Sequence, residues 1–265
     1  MSGSQYVHNK GSIGTAGDMQ YASPNSYVYD DAPVTGLNGY QMGMVKWHNS
    51  NTGLPHVPFE TTVVSFGSYS KFLLSGWIDY QGQTAAYPGL LGIGDAGVGL
   101  MIRPASGFAT LFVGNGTQLN EYAVTLPGGT LTTGLHHFIA TGDNDAQTFA
   151  IAMDGSALPV DFTTFAWTGN IPANTDDDAA TLNLDSDRLG DFWFAPTASY
   201  MPLSPSLIAA FYRGGLPVYL GADGSLPLGQ QPALFFSTGS LPASRPPLLI
   251  ALGQRDPSPQ STGVS

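Results

Sequence analysis

The punctuation of this chain constrains it most. From Phe59 onward, short runs of Val, Phe, Leu and Thr are cut by Gly, Asp or Asn about every 8 to 14 residues, a spacing that suits the strands of a sandwich and is too tight for ordinary helices. Strands are expected near 60–66, 69–80, 88–94, 98–104, 107–113, 119–126, 135–143, 147–153, 160–167 and 180–194. Alternation is clearest at Thr148-Phe149-Ala150-Ile151-Ala152-Met153, which puts Phe149, Ile151 and Met153 on one face, the core face. With 34 Gly and 20 Pro in 265 residues, helices are poorly served. The one expected runs over 204–213: Ser204 can cap it, Pro205 takes the first helical position, Leu207, Ile208 and Phe211 form an apolar stripe, and Gly214 and Gly215 stop it. A last strand is expected at 233–236.

The two ends read differently. Residues 1–57 are polar and rich in Gly, Ser and Asn, so they are expected as an extended N-terminal arm with one short strand over 40–47. Its rings, among them Tyr6, Tyr21, Tyr27, Tyr29, Tyr40 and Trp47, suit it to lie on its own domain or on a neighbouring subunit. Residues 58–239 are expected to form one β-sandwich domain, and 240–265 a Pro-rich tail or second docking arm.

Charge and missing residue types exclude several functions. Nineteen acidic side chains face eight basic ones, for a net charge of −11. A phosphate-tracking groove would therefore lack the Lys and Arg it needs, and nucleic acid is set aside as a partner. The chain has no Cys, so disulfides, thiolate metal sites and thiol nucleophiles are absent. The first thirty residues show no basic stretch followed by an apolar one, and no apolar run is long enough to span a membrane. This composition fits a virion protein released by lysis, or an extracellular protein whose signal has been removed.

Four segments in order carry a family resemblance. FLLSGWID (72–79) is followed by LLGIGDAGVGLMI (90–102), a hairpin with a small polar turn; then comes GLHHFIATGDNDAQTFAIAMDGSAL (134–158), where a His-His pair enters a strand and Asp-Gly makes a later hairpin turn. The fourth is RLGDFWFAPTASYMPLSPSLIAAFYRGGLPVYLGADGSLPLGQQPALFF (188–236). Together they resemble the laminin G-like branch of the concanavalin A-like superfamily, the last segment resembling such proteins of tailed bacteriophages. The resemblance implies an all-β, two-sheet antiparallel jelly-roll sandwich and binding of glycan or protein on a virion surface. The fold hosts lectins, hydrolases and inert modules alike, so it names no ligand.

Chemistry-bearing residues are sparse. The superfamily's hydrolases carry a Glu-x-Asp-x-x-Glu strand that brackets the glycosidic bond, and no such spacing occurs here; Glu60 and Glu121 are the only Glu residues and stand apart. A hydrolase would need acids drawn from separate loops, such as Asp79 or Glu121 with Asp185. The densest acidic stretch holds Asp176, Asp177, Asp178, Asp185, Asp187 and Asp191, and Asp176, Asp178 and Asp187 are the candidate ligands for Ca²⁺, with Asp143, Asn144 and Asp145 a weaker set. His136 and His137 point to opposite faces of a strand, cannot chelate one ion together, and are expected to be structural. Among the tryptophans, Trp77 and Trp193 are assigned to the core. Trp167, followed by Thr168, Gly169 and Asn170, is the candidate for stacking on sugar, with Asn170 and Asp185 as polar partners.

The expectation is thus a non-enzymatic bacteriophage structural protein of the head or tail. It would bind other virion proteins, form homo-oligomers, and recognise host surface glycan. A polysaccharide hydrolase and an extracellular bacterial lectin are the alternatives.

Overall fold

A computed structural model describes residues 6–21, 26–49, 59–60, 67–82, 89–90, 96–172 and 188–241. The strands in chain order are β1 (Tyr6–Val7), β2 (Met19–Tyr21), β3 (Ser26–Thr35), β4 (Gln41–Asn49), β5 (Phe59–Glu60), β6 (Lys71–Tyr80), β7 (Gly89–Leu90), β8 (Ala96–Arg103) and β9 (Phe108–Asn115). They continue with β10 (Leu119–Thr125), β11 (Gly134–Asp143), β12 (Thr148–Met153), β13 (Ser156–Ala157), β14 (Val160–Thr164), β15 (Arg188–Pro196), β16 (Tyr212–Arg213), β17 (Leu216–Pro217) and β18 (Leu234–Phe236), with helix α1 (Pro205–Phe211) between β15 and β16.

Two antiparallel sheets make the body of the molecule, an all-β jelly-roll sandwich. The larger runs β13-β12-β11-β6-β15-β4-β3, with β18 added beside β15; the smaller runs β14-β10-β9-β8-β7. Strand alternation sends Phe72, Leu74 and Ile78 of β6, Phe138 of β11, and Phe192 and Phe194 of β15 against Val98, Leu100 and Ile102 of β8 and Leu111 and Val113 of β9, forming the main core between the sheets. Each such Leu, Ile or Phe contributes roughly 1.5–3 kcal/mol of burial.

The larger sheet is buried on its other face too. Leu73, Ile139, Trp193 and Ala195 pack under Leu207, Ile208 and Phe211 of α1, which is why β6 is buried on almost every residue instead of alternating. The helix starts as its sequence requires: Leu207 N–H donates to Ser204 Oγ at 3.2 Å and Pro205 follows the cap. Trp77 and Trp193 are core residues of this outer layer, the Trp193 indole donating to Gly224 O at 2.8 Å.

The stretch expected as a separate arm belongs in part to the sandwich. β3 and β4 pair with each other, and β4 pairs with β15, so the larger sheet starts at Ser26 and not near residue 58. Tyr40, Met42 and Met44 are buried against Trp77. Further back, residues 9–13 run along the segment before β18: Lys10 N–H donates to Phe235 O at 2.8 Å and Ser12 N–H to Pro232 O at 2.7 Å. Asn9 fixes this contact, its Oδ1 accepting from Phe235 N–H at 2.8 Å. At Gly11 a Cβ would collide with the Ala233 carbonyl, so only glycine permits the approach. The first residues thus dock on their own domain. The strands expected over 61–66 and 180–187, and the tail beyond 241, lie outside the described residues.

Candidate functional site

Strand β10 and the β11–β12 turn meet at one rim of the sandwich, and two buried amides fasten a loop there. Asn120 Nδ2 donates to Asn144 Oδ1 at 2.6 Å and to Trp167 O at 2.8 Å, while its Oδ1 accepts from the N–H groups of Ala166 and Trp167 at 2.6 and 3.2 Å. Asn144 Nδ2 donates to Gly169 O at 3.0 Å. Trp167 and Asn170, the sequence candidates for sugar contact, both lie on this loop. Asn170 is exposed, whereas the Trp167 ring is half-buried against the main core. Its indole nitrogen is buried with no hydrogen-bond partner. Asp185 lies outside the described residues.

At the same rim, Asp143, Asn144 and Asp145 form a built turn. Asp143 Oδ1 accepts from the N–H groups of Asp145 and Ala146 at 3.0 and 3.1 Å. Lys71 Nζ reaches Asp143 at 3.5 Å and Asp145 at 3.1 Å. Ser70 and then Lys71 hold the Asp145 carboxyl below its usual range by hydrogen bonding, and Asp145 in turn raises Lys71. An ammonium therefore supplies the positive charge at this set. Among the described residues no group of three potential ligands gathers for a metal; Asp176, Asp178 and Asp187 lie outside them. Asp191, counted above with the acidic stretch, is instead buried inside β15, its carboxylate accepting from the Tyr40 hydroxyl at 2.6 Å.

The histidine pair is structural, and Asp154 ties it together. One carboxylate oxygen of Asp154 accepts from His137 N–H at 2.8 Å, and the other lies 2.8 Å from His136 Nδ1. The hydrogen bond to Asp154 raises the His136 pKa above 6.5. His137 points the other way, buried between Trp77 and Tyr212 with Nε2 2.8 Å from Ser75 Oγ. Burial drives its pKa down to about 3 and keeps the ring neutral.

The separate-loop hydrolase would pair Asp79 or Glu121 with Asp185, and Asp185 lies outside the described residues, so neither pair is placed. Asp79 sits on the outer face of the larger sheet, held by Arg188 Nε at 2.7 Å. Glu121 sits on the outer face of the smaller sheet, since its neighbours Tyr122 and Val124 turn toward the core. The thickness of the sandwich separates them.

That second outer face holds residues that sequence reading passed over. Cross-strand partners share a face, so Phe162, Ala123, Thr110 and Met101 form one row across β14, β10, β9 and β8, and Thr164, Glu121, Phe112 and Gly99 form the next. Phe108 and Arg103 stand opposite each other beyond them. The Arg103 guanidinium carbon lies 5.8 Å from the centre of the Phe112 ring. Its Nε is buried without a hydrogen-bond partner, and Glu121 stands opposite Phe112 on the neighbouring strand. No signal along the chain joins Arg103 to Phe112 or Glu121; only the strand register does.

No family model matches this chain, and no curated protein does. Among solved structures, it is similar to the binding domain of botulinum neurotoxin DC in complex with rat synaptotagmin II, at 12% identity over 77% of this chain and 50% of that one, TM-score 0.38. It thus spans half the length of that domain. It is also similar to a heptameric SAP-like pentraxin from Limulus polyphemus, at 10% identity over 62% of this chain and 78% of that one, TM-score 0.39. A third likeness is to domain 4 of AbnA, an extracellular arabinanase from Geobacillus stearothermophilus, in complex with arabinotriose, at 13% identity over 78% of this chain and 98% of that one, TM-score 0.33. At such low identities and scores none of these bears on what this chain binds.

Proposed function

We propose that this chain is a non-enzymatic attachment module, a jelly-roll sandwich that docks on other virion proteins of a tailed bacteriophage particle and from there recognises host surface glycan. The observation that carries the recognition part is the asymmetry of the sandwich. The larger sheet has its outer face covered by α1 and the segment after it, whereas among the described residues no apolar cluster lies on the outer face of the smaller sheet, which carries aromatic rings beside a carboxylate and a guanidinium. Rings flanked by a few polar groups are what carbohydrate sites are made of. The phage setting rests on the resemblance of residues 188–236 to phage laminin G-like proteins. The non-enzymatic part rests on the sequence, which lacks the Glu-x-Asp-x-x-Glu spacing by which the superfamily's hydrolases bracket a glycosidic bond. Homo-oligomers would multiply weak sugar contacts into firm attachment.

A glycan array run in calcium and again in chelator, with the mass from light scattering, tests this. Selective signal supports the reading, and its loss in chelator assigns calcium to the acidic 176–187 stretch. Silence toward every glycan overturns the carbohydrate part.

A further inference from the structure

We infer that the β3–β4 hairpin is a pH-gated flap, closed on β15 while Asp191 is protonated and opening as a unit, ahead of the rest of the sandwich, once Asp191 ionises.

The hairpin is lightly held. Among the described residues β3 is the last strand of the larger sheet, and β4 joins it to β15. That join is short: β15 meets β4 over Arg188, Leu189 and Gly190, whereas it runs beside β6 from Arg188 to Pro196. The main core between the sheets takes no residue from β3 or β4. Two other contacts fasten the hairpin. Tyr40, Met42 and Met44 pack on Trp77, and Gln41 exchanges backbone hydrogen bonds with Ser240 at 2.9 Å. An edge element held in this way can leave without opening the core.

Asp191 sits between these attachments. It follows Gly190, the last residue of β15 paired with β4, and precedes Phe192, which pairs with β18. It accepts from the Tyr40 hydroxyl at 2.6 Å. The carboxylate is 2% exposed, and among the described residues no ion pair reaches it. The titratable groups around it are Tyr40, Tyr219, whose ring centre is 5.3 Å from that of Tyr40, and Lys10. The Lys10 charge acts on it less than either hydroxyl, that of Ser237 or that of Tyr40. The packing is close: a Cβ on Gly43 would overlap Thr238, and one on Gly239 the Tyr40 hydroxyl. An ionised Asp191 therefore has two hydroxyls and little else to offset its lost hydration. Parting the hairpin from β15 returns it to water.

The direction with pH follows from linkage. Burial raises the Asp191 pKa to about 6 in the closed form, against 3.8 for a hydrated side chain. The closed form keeps a proton that the open form releases, so opening grows as pH climbs between these values and levels off above them. From pH 5 to pH 8 the rise is about tenfold.

Hydrogen exchange of the full chain, corrected for the intrinsic effect of pH, reads this opening strand by strand. Residues 40–46 are expected to exchange faster than Phe108–Asn115 of β9 at every pH. Their opening should rise about tenfold from pH 5 to pH 8 and flatten above pH 6 to 7. In Asp191→Asn, which keeps an acceptor for Tyr40, the rise should vanish. Exchange of 40–46 in step with β9 would show global unfolding and overturn the flap. A rise that persists in the variant, or begins only above pH 6.5 where His136 titrates, would overturn the role of Asp191. Should the variant fail to fold, the wild-type profile decides alone: a flat one, or one without the plateau, overturns the proposal.

Discussion

The Tyr40 hydroxyl donates to the Asp191 carboxylate across 2.6 Å, at the point where β15 exchanges one neighbour for another: Gly190 pairs with β4 and Phe192 with β18. The strand bulges here, and Asp191 takes a φ of 38°, a left-handed conformation that Asp and Asn adopt more easily than other side chains. Gly190 beside it has no room for a Cβ, which would lie 2.8 Å from the Met42 sulfur. A buried acid thus marks the seam that joins the N-terminal strands to the C-terminal one.

This seam predicts a pH dependence. Burial raises the Asp191 pKa to about 6, against the opposing hydrogen bonds from Ser237 and Tyr40. Its folded pKa therefore exceeds its unfolded value of 3.8. Between these values the native state holds a proton that the unfolded chain releases, so stability falls as pH rises from about 4 to about 6. Asp191→Asn keeps the acceptor for Tyr40 and tolerates the backbone angle but carries no charge. Melting temperatures from pH 4 to 8 are expected to lose that slope in the variant and to match or exceed the wild type at pH 7. Asp191→Ala, which leaves the Tyr40 hydroxyl only its longer contact to Ser237 Oγ at 3.4 Å, should cost about 2–4 kcal/mol.

The two adjacent histidines should titrate far apart. His136 is raised above 6.5 by Asp154, so its contribution is complete below 6.5 and is lost as pH climbs through its raised pKa. His137 stays neutral down to about pH 3. Imidazole NMR shifts across pH 3 to 9 check both values. In Asp154→Asn the His136 midpoint should fall, and His137, which the Asp154 charge also raises, should stay neutral throughout.

Asn120 is expected to behave as a loop anchor. Asn120→Ala removes four hydrogen bonds to Asn144, Ala166 and Trp167, at a cost of about 2–4 kcal/mol. Hydrogen exchange should speed up at Ala166 and Trp167 and stay unchanged in β6.

Much of the sandwich could be read from the chain because short apolar runs between turn residues leave few options. The strands at Lys71–Tyr80, Ala96–Arg103 and Thr148–Met153, and the helix after Ser204, fall within a few residues of expectation. The N-terminal segment could not be read the same way. Its fixing contact joins Asn9 to Phe235, 226 residues apart, and a polar side chain bonded to backbone leaves no periodicity. Asp191 looked like part of an acidic loop because its partner, Tyr40, is 151 positions away. The Arg103, Phe112 and Glu121 group was hidden for a related reason. Each is an ordinary outward strand residue, and only pairing across β8, β9 and β10 brings them together.

The amide NMR spectrum of the labelled protein, titrated with the array's strongest glycan, tests the central claim most directly. The account predicts shifts concentrated at Gly99, Thr110, Phe112, Glu121 and Phe162, with the 165–170 loop and the α1 layer undisturbed. Shifts confined to Trp167 and Asn170, or no saturable shift at all, would contradict it.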